Sequence, residues 1–509
     1  MKFNCLIVVL MMTASLLFAE GEVFEPTSKD NLEKFYSVPE RSVTVSVDES
    51  VKLHSVSSDF LGVNLSYFND TDTIWKEHDI LDKLKKSGVK ALRYPGGEET
   101  SFFHWQSPGV NGYEDLWAPE KQHGTSPGRG RFQVTWVAPS KWETNKEFMN
   151  FDEFMFACKE LKASPIVGLN LSSGKKYNRR KEGVQEALRW LRYCRDKNYE
   201  VKYWFLDNEP WHFEAAHTFS LDEYAEEVLV YGKAIKKEFP NVKLIANPMS
   251  STTYNYREGL QNFINKTGDV IDYIDVHWYW AWGLSSFDYW LEHTPLKTAD
   301  KWKKPELVRS FAEDISMLRE VFRDAGHPEI GLVALEWNIG PSDWSQTFNQ
   351  SLIAIIQAEL LMEFVSSDVH IACLWPLIWQ SNREVWSEQD IFPTVITRDP
   401  PFNPTLTLEM FRMFGAIQGK SVCQSNSSRN DLRVLSAVGR DGEKVLFLIN
   451  KNTLRRQIKL AFKKKIDGVI CSEMIGLKHQ VLNKQPVEIK GKEASLYIEP
   501  YSFVAVHLK

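Results

Sequence analysis

The chain has 509 residues, 43% of them apolar, with 61 basic against 67 acidic side chains and a net charge of −6. That is too long for one ordinary core and divides naturally into a large barrel plus a smaller domain. The faintly acidic balance gives no reason to expect a nucleic-acid partner, whereas 18 tryptophans are an unusual load whose placement matters below.

The chain begins MKFNCLIVVLMMTASLLFAE, with one lysine ahead of an apolar run from Cys5 to Met12, then Ala19 after Leu17-Phe18. This reads as a secretory signal peptide over 1–19, and hence as a secreted or periplasmic protein. The run is too short, and too interrupted by Thr13 and Ser15, for a membrane anchor. No other stretch is expected to span a bilayer. Cys5 leaves with the signal. Cys158, Cys194, Cys373, Cys423 and Cys471 lack metal-site spacing and, being odd in number, cannot all pair. They read as core residues, with room for one disulfide.

Val43, Val45 and Val47 alternate strictly, as in a half-buried strand. One strand cannot stand alone, so the segment 20–57 is expected to cross over and join a sheet at the other end of the chain. From about residue 60 to 380, short apolar runs alternate with helical patterns. The runs are FLGVN (60–64), ALRYPGG (91–97), PIVGLN (165–170), KYWFLDNE (202–209), KLIANP (243–248), DYIDVHWY (272–279), GLVALEWN (331–338) and IACLWPL (371–377). Near-continuous apolar runs suit parallel strands buried on both faces. Eight strand–helix units predict a (β/α)8 barrel over 58–418. Beyond it, LRVLSAV (432–438), KVLFLIN (444–450), IKLAF (458–462), SLYIEP (495–500) and FVAVHL (503–508) recur without helices. They predict a C-terminal antiparallel β-sandwich over 419–509.

In such a barrel the chemistry lies at the C-terminal ends of the strands. Strand two supplies Arg93, strand four Asn208-Glu209-Pro210-Trp211, and strand six Asp275, His277 and Tyr279. Strand seven supplies Glu336-Trp337-Asn338, and strand eight Trp375. Strands four and seven face each other across the mouth, so Glu209 and Glu336 can converge. Paired carboxylates are what glycoside hydrolysis needs, one to protonate the leaving oxygen and one to attack the anomeric carbon or activate water. Arginine is rarely buried without a partner. Arg93 is therefore the expected counter-charge of Glu336, with Gly96 and Gly97 leaving space for a sugar ring. The structural alternative is that Arg93 pairs with some other acid and the glycines form a turn.

These residues resemble clan A of the retaining (β/α)8 glycoside hydrolases. Asn208-Glu209-Pro210 matches the clan's acid/base motif and Leu335-Glu336-Trp337-Asn338 looks like its nucleophile motif. Arg93-Tyr94-Pro95-Gly96-Gly97, followed by Trp105, is similar to a segment of the α-L-arabinofuranosidases. Asp275-Val276-His277-Trp278-Tyr279 resembles their strand six. That group usually has glycine before the Asn-Glu pair and no proline after it. Asp207 and Pro210-Trp211 are closer to β-xylosidases, β-agarases and porphyranases of the same clan. The resemblance implies double displacement without metal or organic cofactor. In it Glu336 is the nucleophile and Glu209 the acid/base, Asn208 holds the sugar 2-hydroxyl, Tyr279 bonds Glu336, and His277 sets the charge of Glu209.

Fourteen tryptophans fall at predicted strand ends or in the loops after them, among them Trp105, Trp211, Trp278, Trp337 and Trp375. Their flat apolar faces suit the C–H faces of sugars; about half are expected to be core instead. The loop 98–150, rich in Gly, Pro and Trp, is expected to form one wall of a cleft. Lys175-Lys176-Tyr177-Asn178-Arg179-Arg180-Lys181 follows strand three, on the same face. Such runs are commonly solvated, but Arg179 and Arg180 would also suit sulfate or carboxylate on a polysaccharide. The leading expectation is a secreted retaining glycosidase acting on a plant or algal cell-wall polysaccharide. An anionic galactan such as agar, porphyran or carrageenan heads the substrates, with arabinoside or xyloside hydrolysis of neutral hemicellulose as the alternative. A catalytically silent carbohydrate-binding protein is the rival from another class, and a transglycosylase would use the same residues. The partner in each case is a poly- or oligosaccharide.

Overall fold

The computed structural model describes residues 42–509 except 68, 106–112, 115–116, 118–147, 212–218, 249–256, 344, 346–347, 380–391, 478–480 and 484–485. The signal-peptide reading, most of the loop 98–150, and Trp136, Trp142, Trp344 and Trp386 lie outside the described residues.

All eight apolar runs are parallel barrel strands. Strands one to five are Leu61–Asn64, Ala91–Tyr94, Ser164–Leu169, Tyr203–Leu206 and Lys243–Ala246. Strands seven and eight are Gly331–Ile339 and Ala372–Leu374, and pairing of strand eight with strand one closes the ring. Strand six differs from the single run expected. It is interrupted into Tyr273–Asp275 and Trp278–Trp280, both halves pairing with strand seven. The barrel interior is packed by side chains such as Ile166, Phe205, Ile245, Val333 and Leu335, so it is a core and not a pore.

The helices form where caps and apolar faces agree. Phe151–Leu161, Leu221–Glu238 and Phe311–Asp324 each open on a reciprocal box, Asn150 with Glu153, Ser220 with Glu223 and Ser310 with Glu313. Helix Gln350–Ser366 is buried almost all round. The reason is its position: it lies between the barrel and the second sheet, and a helix covered on every side needs no polar face.

That second sheet has ten strands. The N-terminal strand Val43–Ser55 is inserted in it, antiparallel to Ser421–Ser427 and parallel to Arg456–Phe462. Val43, Val45 and Val47 are the buried half of its alternation and share one apolar cluster with Leu446, Ile458, Leu460 and Val504. This is the expected C-terminal, mostly antiparallel β-sandwich completed by the N-terminal strand, its ten strands joined in one sheet around this second core. All five described cysteines are free thiols, so the single disulfide allowed for is not formed. Among the described residues no helix is long and apolar enough to cross a membrane.

Candidate active site

Strand two carries Arg93 into the barrel mouth, where it is fully buried. Its Nη1 donates to Glu336 Oε1 at 2.8 Å and to Asn64 Oδ1 at 2.8 Å, its Nη2 donates to Asn208 Oδ1 at 2.5 Å, and its plane lies 4.3 Å over the Phe205 ring. One guanidinium thus fixes residues from strands one, four and seven. Strand seven is shaped to meet it. Between Val333 and Trp337 it carries one residue more than strand six, and between Ala334 and Trp337 one more than strand eight. This is a β-bulge, which bends a strand and re-aims a side chain. The groups freed by the bulge are caught by side chains: Asp275 Oδ1 accepts from the Leu335 amide at 2.8 Å, and Asn64 Nδ2 donates to the Leu335 carbonyl at 2.8 Å. The bulge turns Glu336 into the mouth, where Tyr279 Oη donates to its Oε2 at 2.8 Å. Burial first, then the charges of Glu336 and Glu209, hold the Tyr279 phenol well above its ordinary pKa, so it remains a donor.

Strand four ends in a tight turn with Asp207 at φ 70° and Glu209 at φ 41°, both in the left-handed region that side chains rarely adopt. Side-chain bonds stabilise it. Asp207 accepts from Ser101 Oγ at 2.5 Å and from Ser172 N at 2.7 Å and Oγ at 2.8 Å, and Asn247 Oδ1 accepts from the Glu209 amide at 3.0 Å. His277, in the break of strand six, then bridges two acids. Nδ1 lies 2.7 Å from Glu209 Oε1 and Nε2 lies 3.0 Å from Asp275 Oδ2. Burial alone would lower the imidazole pKa. The charges of Glu336 and Asp275 and the bonds to Asp275 and Glu209 outweigh it and raise the pKa to about 10. At neutral pH the ring is an imidazolium donating from both nitrogens.

Donor atoms of Glu209, His277 and Glu336 all lie within 4.8 Å of one another. Two carboxyls that close suit a retaining pair, since inverting enzymes hold theirs about 6.5–9.5 Å apart to admit water. The same three residues are spaced to hold a cation, but an imidazolium with both nitrogens committed to carboxylates is a poor ligand. A Cβ on Gly97 would lie 3.1 Å from Glu336 Oε1 and 3.3 Å from the Trp375 ring, so the glycine keeps open the space between that carboxyl and the indole.

Residues 83–285 match the family model of the alpha-L-arabinofuranosidase 1 domain, a span that holds Arg93, Asn208, Glu209, His277 and Tyr279. The chain resembles the clan A glycoside hydrolases near the arabinofuranosidase group. It is 26% identical over 331 residues to a probable alpha-L-arabinofuranosidase C of Aspergillus fumigatus, covering 58% of each chain. It is 25% identical over 223 residues to an intracellular exo-alpha-(1->5)-L-arabinofuranosidase of Acetivibrio thermocellus, covering 40% of this chain and 39% of that one. The chain thus spans under two thirds of the length of these curated relatives. In fold it is similar to a family 51 alpha-L-arabinofuranosidase from Bifidobacterium longum, with a TM-score of 0.68, 14% identity, and coverage of 92% of this chain and 99% of that one.

Beside this group, the departure at Asp207 has a physical reading. The position needs a left-handed backbone, which glycine adopts freely. Here aspartate takes it and returns hydrogen bonds to the turn. Three tryptophans of the expected site belong to the core instead. Trp105 stacks on Trp190 at 5.4 Å, Trp278 on Phe311 at 4.1 Å, and Trp337 packs beside Phe364 at 5.5 Å. Strand alternation sends Trp278 and Trp337 outward to the helices, away from the mouth, and Trp105, in the turn after the short strand Phe103–His104, packs on the helix Arg180–Asp196. Trp211 donates to Asn247 Oδ1 at 3.1 Å, the acceptor that also holds the Glu209 amide, and Trp375 faces Gly97.

The basic run is corrected more sharply. Arg180 makes a forked contact with the buried Glu227, Lys175 lies 2.7 Å from Glu223, and Arg179 lies over the Trp117 ring at 4.5 Å and 3.5 Å from Glu182. The arginines and Lys175 are spent on the protein's own acids, and the anionic-galactan reading loses its support. Sequence reasoning missed Asn64, Asn247 and the buried Glu99. Asn64 and Asn247 close the runs FLGVN and KLIANP, and a polar residue ending an apolar strand is the signal that points to them.

Proposed function

We propose that the protein is a retaining α-L-arabinofuranosidase acting on neutral, arabinose-bearing plant hemicellulose, exported from the cell that makes it. The observation that carries this is the carboxyl pair, Glu209 and Glu336, within retaining distance and in unlike surroundings. Glu336 is held by a permanent cation and a phenol, which suits a nucleophile that must stay ionised. Glu209 faces an imidazolium, which suits a group that passes protons.

In the first step Glu336 attacks the anomeric carbon and the bond to the leaving oxygen breaks. Glu209, protonated on entering the step, gives that oxygen its proton, while its Oε1 is held 2.7 Å from His277 Nδ1. In the second step Glu209 takes a proton from water, the resulting hydroxide attacks the same carbon, and Glu336 leaves. Two inversions give retention. Asn208, whose oxygen is taken by Arg93, is left with its NH2 to donate to the sugar 2-hydroxyl.

The test is the anomeric configuration of the first sugar released from 4-nitrophenyl α-L-arabinofuranoside, followed by proton NMR. The α product is expected first. The β product would overturn the mechanism, and release from xylosides alone would move the substrate. Arabino-oligosaccharide binding without any turnover would leave a carbohydrate-binding protein, the rival reading.

A further inference from the structure

The catalytic centre does not end at Tyr279. That ring, hydrogen-bonded to Glu336, meets Trp282 edge-on at 5.3 Å and Phe392 at 5.0 Å. Trp282 meets Phe392 at 5.5 Å and Trp302 at 6.0 Å. Four aromatic rings therefore run from the nucleophile's hydrogen-bond donor to the surface. Tyr279, Trp282 and Phe392 are half-buried, and Trp302 is 67% exposed, the most exposed large apolar side chain among the described residues.

An exposed indole on a slack loop would mean little. This one is fixed. Asp300 Oδ1 accepts from the amides of Trp302 at 2.8 Å and Lys303 at 2.7 Å, and the Lys301 amide donates to the Trp282 carbonyl at 2.9 Å. Lys303 Nζ in turn reaches Thr298 Oγ1 at 2.8 Å and Asp314 at 3.3 Å, tying the loop to the helix that follows. Lys301 Nζ lies 4.6 Å over the Trp302 ring, and its aliphatic stem fills the space where a Cβ on Gly283 would stand, 2.5 Å from Lys301 Cδ. One face of the indole is thus backed by the chain and the ring is held in place while most of its surface stays in water. A single exposed ring is ordinary; what sets this one apart is that it is held in place and continues the aromatic row from Tyr279.

We propose that Trp302 is the outer platform of a substrate subsite, with Trp282 and Phe392 as its inner wall, for the pyranose backbone from which the cleaved side-chain sugar branches. This rests on the arabinofuranosidase reading. A pyranose of the xylan type presents a flat C–H face to an aromatic ring while its hydroxyls stay in water. A side-chain sugar at Glu336 places its backbone outward, along this row. The contact is non-ionic, which suits a neutral polymer and differs from the charge-based recognition first expected of residues 175–181.

Two measurements on Trp302→Ala test the proposal, after a check that its melting temperature matches the parent's. In the first, kcat/KM for soluble arabinoxylan relative to that for 4-nitrophenyl α-L-arabinofuranoside should fall about fivefold to tenfold, the scale of one aromatic stacking contact. Trp302→Tyr should recover part of it. In the second, calorimetry in a Glu336→Gln background should show binding of unsubstituted xylo-oligosaccharides that Trp302→Ala weakens by a similar factor. An unchanged ratio together with Trp302-independent or absent binding would overturn the subsite. Trp302-dependent binding in a protein that releases no arabinose would sink the activity and leave the subsite standing. Saccharide binding indifferent to Trp302, with Trp302 needed for self-association, would assign the ring to a protein contact instead.

Discussion

Two buried clusters of charge among the described residues invite comparison, and one of them looks like a place for chemistry. At the seam between barrel and second sheet, Lys451 and Arg433 face Glu359 and Glu363. Lys451 Nζ is 3.2 Å from Glu359 and donates to the His293 carbonyl at 2.9 Å, Arg433 pairs with Glu363, and Trp290 Nε1 donates to Glu359 at 2.6 Å. Two cations meet two anions, with Lys451, Glu359 and Glu363 buried and Arg433 partly so. At the mouth, Arg93 and His277 face Asp275, Glu209, Glu336 and Glu99, an excess of carboxyls, beside space left by Gly97. Burial of charge is therefore not the mark of function. Imbalance beside open space is, because there the proton count and the occupant can change.

The strongest way to sharpen this contrast is to remove one carboxyl from each cluster's logic. Glu336→Gln should cut turnover at least about 10⁴-fold, as loss of a catalytic nucleophile does, with less loss of stability than a broken balanced pair, since the glutamine oxygen still accepts from Arg93 and the carboxyls of Glu209 and Asp275 remain at the mouth. Glu209→Ala should cost about 10²–10⁴-fold, less with good leaving groups. Azide should speed its second step and yield a glycosyl azide of retained configuration. Thermal melts beside steady-state rates check both; a Glu336→Gln protein that unfolds would make that residue structural.

At the seam the reverse is expected. Lys451→Met leaves Glu359, fully buried, with the Trp290 indole as donor and only the edge of Arg433 as a facing cation. Breaking a buried pair from one side costs about 3–5 kcal/mol. Denaturant unfolding should show that loss, while kcat per folded molecule stays at the parent value. A fall in kcat without a fall in stability would make the two clusters alike.

How much of this contrast could be read beforehand follows from what makes each element. The barrel strands were legible because strands buried on both faces show as unbroken apolar runs, and Glu209 and Glu336 because they end two of them. The partnership of Arg93 with Glu336 followed from the cost of burying a lone guanidinium. The bulge in strand seven was not legible, since an extra residue leaves the apolar pattern unchanged and shows only in the register of its neighbours. Nor was the face of Trp278 and Trp337: inside a run apolar on both sides, composition does not tell mouth from helix layer, and Trp105 sits in a loop with no strand period to place it. The seam was invisible because its acids, Glu359 and Glu363 on one helix, meet cations, Arg433 and Lys451, that lie some way off along the chain.

A smaller effect tests the mouth's surplus of acid. Glu99 is buried, its Oε2 has no hydrogen-bond partner, and its Oε2 stands 2.7 Å from where a Cβ on Gly96 would be. Burial first, and then the charge of Glu336, raise its pKa from 4.5 to about 7. A carboxyl with a raised folded-state pKa binds its proton more tightly when folded. Its contribution to stability is whole below about pH 4.5 and is lost as pH rises through 7. His277 has the same sign in a higher window, whole below 6.5 and lost as pH rises towards 10. Glu99→Gln should therefore match the parent near pH 4 and exceed it by about 3 kcal/mol at pH 8. Unfolding curves across that range decide it, and a parallel offset at every pH would show that the charge of Glu99 is not what the fold opposes.

The smallest effect concerns the basic run beside the mouth. Arg180 is half-exposed, and its partner Glu227 is buried and accepts at 2.9 and 3.0 Å from Nε. Arg179 is similarly exposed and shares its charge with Glu182 and the face of Trp117. Charges already met by the protein's own acids have little left for a polymer, and exposed pairs are worth only about 0.2–1 kcal/mol. Arg180→Ala should cost about 1–3 kcal/mol of stability, because it leaves the buried Glu227 without its forked donor, and Arg179→Ala at most about 1 kcal/mol, fading as salt rises. Neither should change the ratio of activities on a neutral arabinoxylan and on the same polymer bearing uronate. That ratio is the deciding measurement: a selective loss on the charged polymer in either variant would make the run a reader of substrate charge. It would then resemble the mouth, where charge is held ready for an occupant, and not the seam, where charge is closed upon itself.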